Sequence, residues 1–249
     1  MLTSVIGADL LETAWVIIPA TGVGVRAGTS YPKQYQKLNN KYILNYTIDI
    51  FKDFGFKNIL IILNSEDNFF HDQSNIHANL DICTGGETRY LSVYSGLDYL
   101  AQKKLNKNTW VLVHDAVRPC LNPKDLIKLI SSIINNNIIP GGILATPVTN
   151  TLKYSDQYFD STIVSTTVSR HNLWEALTPQ MFKLGLLEQA YENIKTFSES
   201  QKNNITDEAY LIEQLGLNPM IIPADFPNPK FTFPQDLSYI NYLLKEQKC

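Results

Sequence analysis

Four short apolar runs, set apart by stretches with helical spacing, constrain this chain more than any other feature. The runs are residues 15–19 (WVIIP), 59–63 (ILIIL), 110–113 (WVLV) and 142–145 (GILA). Between them, residues 43–54 and 87–102 place apolar side chains at helical intervals. Apolar strands alternating with amphipathic helices imply βαβ units, hence an α/β fold with a mostly parallel sheet covered by helices on both faces. Helical spacing returns at 183–193, 206–215 and 234–245. From 151 to 168 the pattern changes to TLKYSDQYFDSTIVSTTV, rich in Thr, Ser and Tyr, which reads as a protruding β-arm outside the sheet. With no internal repeat or linker, residues 1–249 read as one domain. In such a sheet the ligand crevice lies beyond the carboxyl ends of the strands.

Composition narrows the partners. A net charge of −3, from 21 basic and 24 acidic residues, offers no basic excess for nucleic acid. Only four of the basic residues are arginines (Arg26, Arg89, Arg118 and Arg170), which points to planar recognition of anionic oxygens where they occur. Three cysteines without a CxxC pair argue against a disulfide scaffold and for a reducing compartment. No window approaches about 18 apolar residues, and the N-terminus lacks a basic leader, so a cytoplasmic protein with no membrane partner is expected.

After the first apolar run comes Pro19-Ala20-Thr21-Gly22-Val23-Gly24-Val25-Arg26-Ala27-Gly28, and then Pro32-Lys33-Gln34. Closely spaced glycines let backbone N–H groups approach an anion. The run satisfies a loose G-x-G-x-x-A dinucleotide pattern. Gly28 and Pro32 nevertheless stop it from opening into a helix, and the ribose acid expected about 20 residues on is missing. No Gly-Lys-Ser/Thr closes a Walker loop either. What remains is a glycine loop whose two cations, Arg26 and Lys33, can reach one polyphosphate from opposite ends. Asp115 directly follows an apolar strand, where a carboxylate suits either a hydrated magnesium ion or an ion pair with Arg118. His114 reads as a hydrogen-bonded structural residue, and His71, His77 and His171 form no zinc-ligand spacing.

The pattern P-A-x-G-x-G-x-R-x5-P-K-Q resembles the 2-C-methyl-D-erythritol 4-phosphate cytidylyltransferases of the non-mevalonate isoprenoid pathway. The resemblance continues through Gly85-Gly86-Glu87-Thr88-Arg89, Val113-His114-Asp115-Ala116-Val117-Arg118-Pro119 and Pro147-Val148-Thr149-Asn150-Thr151. It recurs in Ser169-Arg170, Leu173-Trp174-Glu175-Ala176-Leu177-Thr178-Pro179-Gln180, Ile205-Thr206-Asp207-Glu208-Ala209 and Asn228-Pro229-Lys230. It implies a Rossmann-like nucleotidyltransferase fold and a reaction that joins CTP to methylerythritol phosphate with release of pyrophosphate.

By that resemblance Arg26, Lys33, Arg170 and Lys230 are the catalytic cations. Pro19, Ala20, Thr21, Gly22, Val23, Gly24, Lys33, Gly86, Glu87, Ser92, Asp115 and Ala116 contact the nucleotide. Asp115, Arg118, Thr151, Arg170, Thr178 and Lys230 bind the sugar phosphate. Magnesium or another divalent cation accompanies CTP at Asp115, and the arm is exchanged in a homodimer. The chain departs from the family pattern at Thr21, Val25, Ala27, Glu87 and Asn150, where alanine, a basic residue, methionine and two acids are usual. A ribitol 5-phosphate cytidylyltransferase shares the fold and the glycine loop, and a non-catalytic nucleotide-binding regulator is the remoter alternative.

Overall fold

The structure, a computed structural model, describes residues 6–22, 31–70, 80–136, 138–155 and 163–246. Helix α1 (Ala8–Thr13) leads into strand β1 (Trp15–Ala20). A short ribbon of β2 (Lys37–Leu38) and β3 (Lys41–Tyr42) precedes α2 (Ile43–Phe54), which returns the chain to β4 (Asn58–Leu63). Strand β5 (Asp81–Thr84), helix α3 (Arg89–Gln102), strand β6 (Trp110–Val113), helix α4 (Pro123–Ile134) and strand β7 (Gly141–Pro147) continue the alternation. Then follow β8 (Leu152–Tyr154), β9 (Thr166–Val168), β10 (Trp174–Lys183), α5 (Leu184–Asn193), α6 (Glu199–Asn203), α7 (Glu208–Glu213), β11 (Met220–Pro223) and α8 (Asp236–Glu246).

Seven strands form one sheet in the order β11-β7-β10-β6-β1-β4-β5. All neighbours run parallel except β10, which is antiparallel to both β6 and β7. The four apolar runs fall in β1, β4, β6 and β7, as their pattern predicts. Strand β10 is a difference from the sequence reading. Its first residues are exposed and its last are buried, so it shows neither the alternation of a half-covered strand nor a continuous apolar run.

Side chains alternate across the sheet. Val16, Ile18, Ile59, Ile61 and Leu112 meet Leu44, Ile48 and Phe51 of α2 and Leu126, Leu129 and Ile133 of α4 on one face. Trp15, Ile17, Leu60, Ile62, Val111 and Val113 meet Val93, Leu97, Leu187, Tyr191 and Ile212 on the other. This gives three layers, helix on sheet on helix. A third cluster joins Phe231, Ile240 and Leu244 to Ile43, Tyr46 and Val117. It seats α8 and the segment before it over the exit of β6, where Phe231 N–H donates to Val117 O at 2.9 Å. Burying Phe231 is worth about 2–3 kcal/mol by area, and it fixes the place of its neighbour Lys230.

Within the arm, β8 pairs antiparallel with β9 from Leu152↔Val168 to Tyr154↔Thr166, and all of β9 is exposed. Among the described residues no helix is long and apolar enough to cross a membrane.

Candidate active site

The crevice lies beyond the carboxyl ends of β1 and β6, as the topology requires. Its first cleft, of about 320 Å³, is lined by Pro19, Ala20, Thr21, Gly22, Lys33, Gln34, Asn64, Glu87, Arg89, Asp115, Ala116, Val117 and Lys230. Buried Gln34 donates Nε2–H to Ala20 O at 2.6 Å, which pins the short turn carrying Lys33 against the end of β1. A Cβ on Gly22 would lie 3.9 Å from Lys33 Cε, so the lysine stem passes beside Gly22.

The loop before α3 approaches from the other side. A Cβ on Gly85 would come within 2.5 Å of Thr21 Cγ2 and 2.8 Å of Ser92 Oγ, so only glycine allows this approach. Ser92, expected against the nucleotide, is fully buried beneath it. Its hydroxyl lies 3.0 Å from Gly86 O and 2.8 Å from Thr88 O, and shares a 2.8 Å hydrogen bond with Thr21 Oγ1. Packing under two close-set loops leaves this side chain to knot them together rather than face the cleft. Glu87 lines the cleft, whereas Gly86 is not among its lining residues.

At the end of β6 the charges gather. Asp115 is buried, yet Arg89 Nε reaches its Oδ1 at 3.0 Å, while Arg118 Nε at 3.2 Å and Lys230 Nζ at 3.0 Å reach its Oδ2. Burial alone would raise its pKa. The three cations outweigh that and hold the carboxyl well below the usual range. Arg89 turns its two Nη groups to fully buried Glu208 at 2.9 and 3.0 Å, and Tyr191 O–H donates to the same carboxylate at 3.0 Å. Burial opposes the charge on Arg89, but Glu208 and Asp115 raise its pKa well above the ordinary value.

Thr178 sits under this group. Its Oγ1 accepts Asp115 N–H at 3.1 Å and lies 3.0 Å from His114 Nδ1, while His114 Nε2 lies 3.0 Å from Arg118 O. A carbonyl only accepts, so Nε2 carries the proton and Nδ1 takes one from Thr178. Burial pushes the His114 pKa down to about 4, leaving a neutral structural imidazole. The Thr178 hydroxyl, expected to bind substrate, is thus engaged in holding Asp115.

A second cleft of about 200 Å³ adjoins the first and is lined by Arg89, Asp115, Arg118, Ala176, Leu177, Thr178, Gln180, Thr206, Asp207 and Lys230. Arg89, Asp115 and Lys230 line both clefts and form the wall between them. Thr151 and Arg170 are exposed and line neither. Val23, Gly24 and Arg26 lie outside the described residues. Sequence reasoning overlooked Gln34, Asn64, Gln180 and Glu208 as parts of the site. Thr206 to Glu208 stood within a noted motif, but nothing in the sequence marks a glutamate as fully buried.

Among the described residues no group of three His, Cys, Asp or Glu side chains could hold a metal ion. Asp115 is a lone carboxylate with about four acceptor positions, three of them taken by cations. That donor set fits a divalent ion arriving on a polyphosphate that supplies most of its ligands, and does not fit a cage built by the protein.

A family model described as IspD, 2-C-methyl-D-erythritol 4-phosphate cytidylyltransferase, matches residues 14–246. A protein of that name from Buchnera aphidicola subsp. Acyrthosiphon pisum is 42% identical over 232 residues, 92% of this chain and 92% of that one. One from Wigglesworthia glossinidia brevipalpis is 41% identical over 236 residues, 94% of this chain and 96% of that one. Among solved structures, the Francisella tularensis protein of the same name superposes with a TM-score of 0.76 at 34% identity, covering 93% of this chain and 100% of that one. A 4-diphosphocytidyl-2C-methyl-D-erythritol synthase gives 0.78 at 33% identity, covering 94% and 99%.

Proposed function

Because the chain belongs to the 2-C-methyl-D-erythritol 4-phosphate cytidylyltransferase family, we propose that its first cleft takes CTP and its second takes the methylerythritol phosphate. The enzyme is a nucleotidyltransferase. An oxygen of the acceptor phosphate attacks the α-phosphorus of CTP, a new P–O bond forms, the α–β bridge breaks, and pyrophosphate leaves with the electron pair. The attacking phosphate has a second pKa of about 6 and is largely ionised near neutrality, so no general base is required. Neutral, doubly engaged His114 is consistent with that.

What the reaction needs is positive charge held in place while an anion approaches an anion. Lys33, with Arg26, stabilises the α-phosphate and the leaving pyrophosphate. Lys230 and Arg118 face the acceptor phosphate. Asp115 orients both and keeps them from collapsing onto the nucleotide. A divalent ion carried on the triphosphate, with Asp115 as a single protein ligand, would neutralise leaving-group charge. Thr151 and Arg170 are exposed and line neither cleft in their own chain, which supports a homodimer. In it the partner subunit's Arg170 and the partner subunit's Thr151 complete the acceptor cleft. The free thiols of Cys83 and buried Cys120 suit the cytoplasm.

The observation that carries this reading is Asp115 with its three cations at the junction of two clefts. Pyrophosphate release from CTP with methylerythritol phosphate, set beside ribitol 5-phosphate, tests it. Turnover with the first and at most weak turnover with the second is expected. Preference for ribitol phosphate, or no release with either acceptor, would overturn it.

A further inference from the structure

Glu208 touches neither cleft, yet it is a fully buried charge at one end of the chain of ion pairs that crosses the site. Arg89 is divided between two carboxylates: both Nη groups go to Glu208, and only Nε goes to Asp115 Oδ1. A guanidinium facing a carboxylate prefers two parallel hydrogen bonds. Released from Glu208, Arg89 would turn that fork onto Asp115 and compete for the Oδ2 that Arg118 and Lys230 now share.

We infer that Glu208 is a positioning residue for the transfer reaction: it occupies the fork of Arg89 so that Asp115 Oδ2 stays committed to Arg118 and Lys230. The inference rests on the acceptor reading of the second cleft only for its kinetic consequence. Five further contacts fix Glu208 and the start of α7 in place. Tyr191 O–H donates to its Oε1, and the Tyr191 ring stacks on Tyr94 at 5.9 Å with 3° between planes. Asp207 caps α7 by accepting Tyr210 N–H at 3.0 Å. Gln180 of β10 then clamps the start of α7, donating to Asp207 Oδ2 at 2.8 Å and accepting Ala209 N–H at 2.9 Å. A helix of six residues is thereby fixed to the sheet beside the second cleft.

Glu208→Gln keeps shape but gives Arg89 one acceptor oxygen instead of two. The expected crystal structure shows Arg89 turned toward Asp115 and Lys230 Nζ displaced from Oδ2, a readout that needs no turnover. In the pyrophosphate assay turnover should fall about tenfold to a hundredfold, the loss typical of a small misplacement at a reacting centre. The acceptor KM should rise while the KM for CTP changes less than about twofold. Melting curves of the same variant guard against a mere folding defect. With a purely structural role, turnover measured well below the melting temperature stays near wild type; with the positioning role, it stays reduced there although the chain is folded. An unmoved Asp115 cluster in the Glu208→Gln crystal, or near-wild-type turnover of the folded variant, overturns the inference. An inactive wild-type enzyme would instead refute the proposed function and leave the crystallographic outcome to decide the role of Glu208.

Discussion

The crevice and the arm both carry residues expected of the site, and they are built in opposite ways. In and behind the crevice wall, Asp115, His114, Thr178 and Glu208 are buried, and each holds partners at hydrogen-bond distance. At the base of the arm, Thr151 and Arg170 are exposed on either side of a ladder of three residue pairs. A ladder that short does not hold its shape unaided. The contrast separates two tasks. Stabilising a crowded anionic transition state needs charges whose orientation is settled before substrate arrives, and the crevice has that. Selecting the acceptor can be left to residues that find their place only against another surface.

Removing a crevice cation should therefore do the greatest damage. Lys33→Ala deletes the cation beside Gly22 in the first cleft, proposed to take CTP, without touching the core. Turnover should drop ~10²–10³, comparable to losing one preorganised donor from a transition-state site. Steady-state pyrophosphate release checks this, with the melting curve confirming an intact fold. Near-native turnover would mean that the nucleotide cleft is not where the α-phosphate is stabilised.

Acid offers a second way to break the crevice while leaving the arm alone. Neutral His114 ties Thr178 to the carbonyl of Arg118, and its pKa falls from 6.5 to about 4 through burial. Between those values the unfolded chain binds a proton that the folded chain refuses. This contribution to stability is therefore complete above about pH 6.5 and declines as pH falls toward 4. By pH 5 it should cost about 2 kcal/mol. Urea midpoints at pH 7 and pH 5, compared between wild type and His114→Gln, measure it. The variant should show a visibly flatter dependence, and parallel curves would show that His114 does not titrate as its burial requires.

The same contrast explains what could be read without coordinates. Strands β1, β4, β6 and β7 were legible because both faces are covered, which leaves unbroken apolar runs such as WVIIP and ILIIL. Asp115 was legible because a carboxylate follows an apolar strand at a crevice, and Lys33 because it stands seven residues beyond Arg26 on a glycine loop, whereas Lys230 was placed only through the family resemblance. Edge strand β5 was not, since Ile82 faces solvent and the strand is only four residues long. Nor was β10, whose mixed exposure hides its place at the middle of the sheet. Ser92 and Thr178 were placed in the right neighbourhood, but not the protein partners of their hydroxyls: Gly86, Thr88 and Thr21 for Ser92, Asp115 and His114 for Thr178. Which face of a loop a hydroxyl occupies depends on packing, here the approach of Gly85 and the seat of His114, and no spacing rule encodes it. Glu208 stayed hidden for the same reason: a glutamate in sequence is by default a surface residue, and it takes the fork of Arg89 and the Tyr191 hydroxyl to make its burial tolerable.

The arm makes the finest distinction. If Arg170 serves the acceptor cleft of a neighbouring subunit, as proposed for an exposed arginine that lines neither cleft of its own chain, Arg170→Ala should raise the acceptor KM about tenfold while leaving the KM for CTP nearly unchanged. Mixing separates this from an effect within one chain. In a dimer of one Lys33→Ala and one Arg170→Ala subunit with exchanged arms, one site carries both defects. The other site joins the intact Lys33 of one subunit to the intact Arg170 of its partner. Random reassociation of equal amounts makes about half the dimers mixed, so with acceptor well below its KM, where both parents are impaired, activity should recover to roughly a quarter of wild type. If each site lies within a single subunit, every site in the mixture keeps one defect and activity stays at the average of the parents. Recovery above that average is the signature of an arm that works across the interface, and its absence would return Arg170 to the surface of its own chain.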